Sequence, residues 1–255
     1  MLQEMIGTTA RLVVITALAA PLSFTQQTSL QPPPYRGVAV HVDGIYVTPV
    51  PGLPFTAIVE IESAQVLADG SNNAKKTIAN IARDFQGRIY NERRQLVSSS
   101  YSGTPKLVSF HIYDPVTRLN TFLNPATHVA RQVIRPMPNP ELTEVVSASE
   151  NEPRVGEQDL GTEMMEKVLV HGTRKSRTVP GNATGTGKPI MITDEYWYSD
   201  ELRLNMLVKH EDPRTGQQTV TVTRVNRSEP KPATFEIPGD YKVADETPER
   251  QRTSD

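Results

Sequence analysis

A mainly β chain, folded as an antiparallel sheet with little helix and flanked by disordered termini, follows from three features of the sequence. Apolar and polar residues alternate along most of the middle of the chain, the period of a half-buried strand. Turn-forming clusters recur at intervals of roughly ten residues. No segment sustains the 3.6-residue period of an amphipathic helix.

The composition frames that fold. The 255 residues are 37% hydrophobic and 22% charged, enough for a core with polar tails on top. The formal net charge of −2 supplies no field for nucleic acid or an anionic membrane. With no cysteine, disulfides, thiolate metal sites and a Cys nucleophile are excluded.

The N-terminus reads as an export signal over residues 1–25. Arg11 precedes the apolar run Leu12–Ala20, Pro21 ends it, and Ser23 and Thr25 suit the −3 and −1 positions of a cleavage site. The run is shorter than the ~20 apolar residues of a comfortable membrane span. Contact with the membrane is therefore expected only through this signal. Residues 26–52, with Pro32-Pro33-Pro34, form a Pro-rich leader; Val38–Val47 within it alternates weakly, as an edge strand would.

A single β-rich domain is expected over residues 53–243. Phe55, Ala57, Val59 and Ile61 share one face of the first strand, Phe55–Val66, opposite Glu60 and Glu62. Asp69-Gly70 turns the chain into Lys75–Asp84, and Gln86-Gly87 turns it into Arg88–Leu96, completing a meander. Strands follow at Leu107–Tyr113, Arg118–Leu123 and His128–Ile134, separated by Asp114-Pro115 and Asn124-Pro125. Residues 135–154, with Pro136, Pro138, Pro140 and Pro153, form a connection: a flexible excursion, or a short helix around Glu141–Ala148.

Strands resume at Gln158–Met165 and Val168–Thr173, although Glu163–Lys167 also suits one helical turn. A Gly-rich loop, Pro180–Lys188, leads into Ile190–Tyr198. Leu202, Leu204, Met206 and Val208 alternate along Leu202–Glu211. Asp212-Pro213-Arg214-Thr215-Gly216 is a hairpin loop into Gln218–Asn226, and Phe235–Pro238 returns to the core. Residues 244–255 are charged and expected to be disordered.

No motif carries a reaction. Gly185-Thr186-Gly187-Lys188 fails as a phosphate loop, because Pro189 stands where the magnesium-binding Ser or Thr belongs, so no nucleotide is expected. His41, His111, His128, His171 and His210 show no metal-ligand spacing, and neither a metal nor any other cofactor is expected. Asp194, Glu195, Asp200 and Glu201 surround the single tryptophan, Trp197; alternation places Glu195 with Trp197 and Asp194 with Tyr196, which divides the carboxylates between faces.

Residues 156–243 resemble the C-terminal half of a family of exported bacterial proteins of unknown function. The likeness rests on Leu160-Gly161-Thr162, Gly172-Thr173-Arg174, Gly181-Asn182, Lys188-Pro189-Ile190, Glu195-x-Trp197-Tyr198-Ser199-x-Glu201-Leu202, Asp212-Pro213-Arg214-x-Gly216, Arg227-x-Glu229-Pro230 and Phe235-x-x-Pro238-x-Asp240-Tyr241-x-Val243. Pro54–Ala57, Leu67–Gly70, Arg83-Asp84-x-x-Gly87-Arg88 and Asp114-Pro115-Val116 extend it to residues 53–243. Lys167 replaces a usual turn glycine, and Ala183–Gly187 resembles an insertion. The layout is also loosely similar to LolA-type lipoprotein-carrier-like half-barrels. That resemblance implies a curved sheet, or incomplete β-barrel, cupping a hydrophobic cavity, in the periplasm or cell envelope of a bacterium.

The expectation is thus a non-enzymatic envelope protein holding a lipid or other apolar ligand, with Trp197, Leu202, Leu204, Met206 and Val208 as candidate wall residues; the same residues equally suit a filled core. The alternatives are a protein–protein interaction or sensor module of the envelope and, third, a hydrolase with an unrecognised site.

Overall fold

The computed structural model describes residues 45–67, 69–134, 155–184 and 187–248. All fall in one structural unit, Val38–Asp255. The export signal, most of the Pro-rich leader, His41, the connection at 135–154 and the end of the tail lie outside the described residues.

The chain is mainly β. Its strands are β1 (Phe55–Val66), β2 (Asn72–Arg83), β3 (Ile89–Arg94), β4 (Val97–Ser98), β5 (Leu107–Asp114), β6 (Leu119–Asn124), β7 (Val129–Ile134), β8 (Val155–Met165), β9 (Val168–Val179), β10 (Ile190–Ser199), β11 (Leu204–Asp212), β12 (Gly216–Asn226) and β13 (Lys242–Asp245). They form one sheet in the order β13-β7-β6-β5-β3-β2-β1-β12-β11-β10-β9-β8, with β4 beside β2. Each pairing is antiparallel except β7 with β13. The β1–β12 pair joins the two halves of the sequence, so the meander and the later hairpins share one sheet.

Turn chemistry accounts for the hairpins. The Asp69 carboxylate accepts the Ser71 N–H at 2.9 Å in the β1–β2 turn. At the start of β12, Gly216 has φ +94°, and an added Cβ would lie 2.2 Å from the Ala64 carbonyl; only glycine fits there. Glu166 and Lys167 make a tight two-residue turn with φ of 50° and 63°, so the alternative of a helical turn over Glu163–Lys167 does not form. The Gly-rich loop opens with a single helical turn, α1 (Gly181–Thr184).

Two further elements differ from the sequence expectation. Strand β9 runs on to Val179, because Arg174–Val179 pair with Ile190–Glu195. The chain does not become irregular at Ala244: Lys242–Asp245 form β13, and Thr247 is buried, its hydroxyl accepting the Ile134 N–H at 3.2 Å. Backbone pairing orders this segment without an apolar pattern.

The sheet has two cores on opposite faces of shared strands. The larger gathers Phe55, Val59, Ile61, Ala79, Ile81, Ile89, Val168, Met206, Val208, Val220 and Val222. The smaller gathers Ala82, Phe110, Ile112, Leu123 and Ala130 under Phe235, Ile237 and Tyr241. Neighbours Ile81 and Ala82 serve different cores because successive strand residues point to opposite faces.

The half carrying the larger core is curled. Strands β9 and β12 are three steps apart, about 14 Å in a flat sheet. Yet Glu166, between β8 and β9, accepts the Val225 N–H of β12 at 3.3 Å. Likewise Arg83 on β2 reaches across β1 and β12 to donate to the Leu202 carbonyl, beside β11, at 2.8 Å. Arg83 is fully buried, donates also to Thr48 and Leu53 at 2.8 Å each, and lies over the Phe55 ring at 5.0 Å. Burial pulls its pKa down to about 10, against the pull of Tyr198. The sheet nonetheless stays open: β13 and β8 end the path and do not pair with each other.

Candidate functional site

Where the sheet runs from the filled half toward β5 and β6, its face opens into a cleft of about 990 Å³, within the range of small-ligand sites. Val59 and Ile61 of β1 and Thr77 and Ala79 of β2 face it. Asn91 and Arg93 of β3, Ser109 and His111 of β5 and Phe122 of β6 continue the same surface, as the cross-strand pairs Asn91–His111, Arg93–Ser109 and His111–Phe122 require. Ile45 and Tyr46 border it, and Leu96 and Val108 complete an apolar wall.

The lining is unusual in its exposure. Tyr46 is 76% exposed, Leu96 46%, Val108 46% and Phe122 48%. Scattered apolar residues on a surface are ordinary, but these four gather around one concavity, which makes it the candidate site. The His111 ring stacks on Phe122 with centroids 4.6 Å apart, and its Nε2–H donates to Asn120 Oδ1 at 3.0 Å. The one carboxylate in the lining among the described residues, Glu92, is engaged by Asn80, Tyr90 and Arg94.

The residues singled out from the sequence lie elsewhere. Leu202, Leu204, Met206 and Val208 are buried in the larger core and none lines the cleft; they belong to the same cluster as Val59, Ile61 and Ala79, and Val208 lies in one cross-strand row with Val220 and Ile61, beside the cleft. Trp197 is half-buried against that core. Its ring sits on Gly172, where a Cβ would lie 2.8 Å from Trp197 Cζ3, and its Nε1–H donates to Glu195 Oε1 at 2.8 Å. Alternation identified these side chains as inward-facing but did not separate a wall from a filling. The cleft residues come from β1, β2, β3, β5, β6 and β12 and from the segments before β1 and after β3, and no local pattern in the sequence joins them.

The four carboxylates near Trp197 do not converge. Glu195 accepts from Trp197, from Arg174 at 2.8 Å and from Lys209 at 3.2 Å. Burial pushes its pKa up, but these donors outweigh that and hold it at about 2. A carboxylate so saturated is a structural acceptor, not an acid or base. Asp194 is buried against His210 Nδ1 at 2.7 Å. Asp200 faces Arg203 at 3.7 Å, and Glu201 pairs with Arg227.

The histidines behave as pairing residues. His128 meets Asp240 at 2.7 Å and His171 meets Asp159 at 3.4 Å. His210 is the buried exception, in a polar group with Asp194, Arg177 and Asp212. Its Nε2 meets no donor or acceptor among the described residues, so no serine stands against the Asp194–His210 pair as a nucleophile. Among the described residues, no group of three or more acidic or histidine side chains could hold a metal ion, and no helix is long and apolar enough to cross a membrane.

No family model matches the chain, and no curated protein matches it. Solved structures do. An uncharacterized conserved protein from Thermus thermophilus is 11% identical, over 76% of this chain and 91% of that one, with a TM-score of 0.41. MucB in its complex with MucA from Pseudomonas aeruginosa is 9% identical, over 75% and 58%, at 0.35. A LolA superfamily protein from Nitrosomonas europaea is 11% identical, over 73% and 91%, at 0.30.

Proposed function

We propose that the chain is an exported, non-enzymatic binding protein of the bacterial envelope that holds a lipid or other apolar ligand in the cleft between β1–β2 and β5–β6. The observation that carries this reading is the ring of exposed apolar side chains, Tyr46, Leu96, Val108 and Phe122, around a concavity whose floor is Val59, Ile61 and Ala79. Ligand binding removes such surface from water at about 25 cal/mol per Å² of apolar area. Leu202, Leu204, Met206 and Val208 enter the proposal as the packing that keeps the floor rigid, and Trp197 as the prop of the β9–β10 region. Export is supported by the sequence alone, through Arg11 and the apolar run Leu12–Ala20.

The test is native mass spectrometry with lipid extraction on the exported protein from its own host. A co-purifying lipid is expected, lost in Phe122→Glu. That residue is half exposed, so the variant is expected to keep the wild-type melting temperature to within about two degrees. A protein free of lipid, with no uptake from lipid extract, overturns the reading. A peptide in the cleft instead of a lipid turns it to an envelope protein as partner.

A further inference from the structure

We propose that the cleft selects an amphiphile with an anionic head group, a carboxylate or phosphate on a single alkyl chain, and that Arg93 receives the head. The inference rests on the apolar-ligand reading above and names the class of ligand.

The charge distribution of the cleft carries it. Three ionisable lining residues are consecutive on β3: Glu92, Arg93 and Arg94. Glu92 and Arg94 satisfy each other at 2.7 Å, and Glu92 also accepts from Asn80 and Tyr90. Arg93 points the other way, with Asn91, onto the cleft face, and makes no hydrogen bond or ion pair among the described residues. Its cross-strand neighbour is Ser109, and the next pair on that face is Asn91 with His111. A guanidinium, a hydroxyl, an amide and an imidazole thus occupy adjoining positions on β3 and β5, with no carboxylate among them.

The rest of the cleft fixes the orientation. The apolar floor belongs to β1 and β2, and the donors to β3 and β5. A ligand lying across the strands places its chain among the exposed Tyr46, Leu96, Val108 and Phe122, at the border of the packed Val59, Ile61 and Ala79, and its head at Arg93. The planar fork of arginine matches two oxygens of a carboxylate or phosphate at once. An uncharged head leaves that fork to water and gains nothing from it.

The experiment is displacement of the neutral dye Nile red from the full chain by laurate, dodecyl phosphate and dodecanol, each below its micelle concentration. Both anions are expected to compete about tenfold better than the alcohol, the contribution of one charge-assisted contact. The better of the two identifies the head group as carboxylate or phosphate. In Arg93→Gln both anions fall to the level of dodecanol, which is unchanged, whereas Arg93→Lys retains part of the preference. Equal competition by all three ligands in wild type and Arg93→Gln, with binding still lost in Phe122→Glu, overturns the head-group inference and leaves the apolar cleft standing. Failure of all three ligands, and of the dye, to bind wild type overturns both.

Discussion

One face of this sheet is filled over β11, β12, β1 and β2 as far as Val59, Ile61 and Ala79, which border the cleft, and is open beyond them over β3, β5 and β6. The two regions share strands, pleat and register, so the difference does not lie in the strands themselves. Over the filled part the sheet curls back, and Val168, Val170, Leu202, Ile45 and Val47 close on Val59 and Met206. Over β5–β7 the covering segment, Phe235 to Tyr241, lies on the opposite face, where Phe110 meets the ring of Tyr90 at 5.7 Å and that of Tyr241 at 6.0 Å. With its apolar surface buried on that side, this half leaves the concave side to Asn91, Arg93, His111 and Phe122. A cleft arises where the sheet changes the face on which it keeps its core.

If the curl fills the first region, releasing it is the largest perturbation available. Arg83 ties β2 to the carbonyls of Thr48, Leu53 and Leu202. Arg83→Ala removes the guanidinium from three carbonyls, of which that of Thr48 keeps the Val50 N–H, and leaves a void beside Phe55; it is expected to cost about 4 kcal/mol in urea unfolding. Native-state hydrogen exchange then distinguishes the regions: amides of β11 and β12 lose more protection than those of β6 and β7. Uniform loss across the sheet would make the two cores one cooperative unit and remove the distinction between them.

A smaller effect belongs to the β9–β10–β11 part of the curl, where Glu195 joins Arg174, Trp197 and Lys209 across three strands. Its folded pKa, about 2, lies below the ordinary 4.5. The stability it contributes is therefore present above pH 4.5 and lost as the pH falls toward 2. Glu195→Gln is expected to cost about 2 kcal/mol at pH 7 and to flatten the acid limb of the stability curve between those values. Trp197 fluorescence follows the same transition. An unchanged acid limb would show that other carboxylates govern acid unfolding.

The sequence made the filled region more legible than the open one, for a physical reason. Phe55, Ala57, Val59 and Ile61 alternate because one side of β1 is buried along that run, and burial is what patterning records. Leu204, Met206 and Val208 alternate for the same reason. The open face carries Asn91, Ser109 and His111, polar residues that look like any solvated side of a strand. Only the pairing of β3 with β5 and β5 with β6 brings them together, and pairing partners are not a local property. Strand β13 was illegible for a related reason: its four residues hold their place through backbone bonds to β7.

The smallest predicted effect concerns the turn that brings β9 to the core. Glu166 and Lys167 both hold positive φ, which the right-handed twist of a two-residue hairpin favours but an L side chain resists. Glu166 offsets its strain through the bond to Val225. No such bond is made by Lys167 among the described residues, so its strain is uncompensated. Lys167→Gly should stabilise the protein by about 1 kcal/mol, since the αL penalty at one residue exceeds the entropy that glycine adds to the unfolded chain. The gain is expected in the urea midpoint with no change in slope. A loss of stability instead would mean that the lysine side chain contributes to the turn more than its backbone strain removes, and that the β8–β9 hairpin is held by its tip as well as by Val168 and Val170.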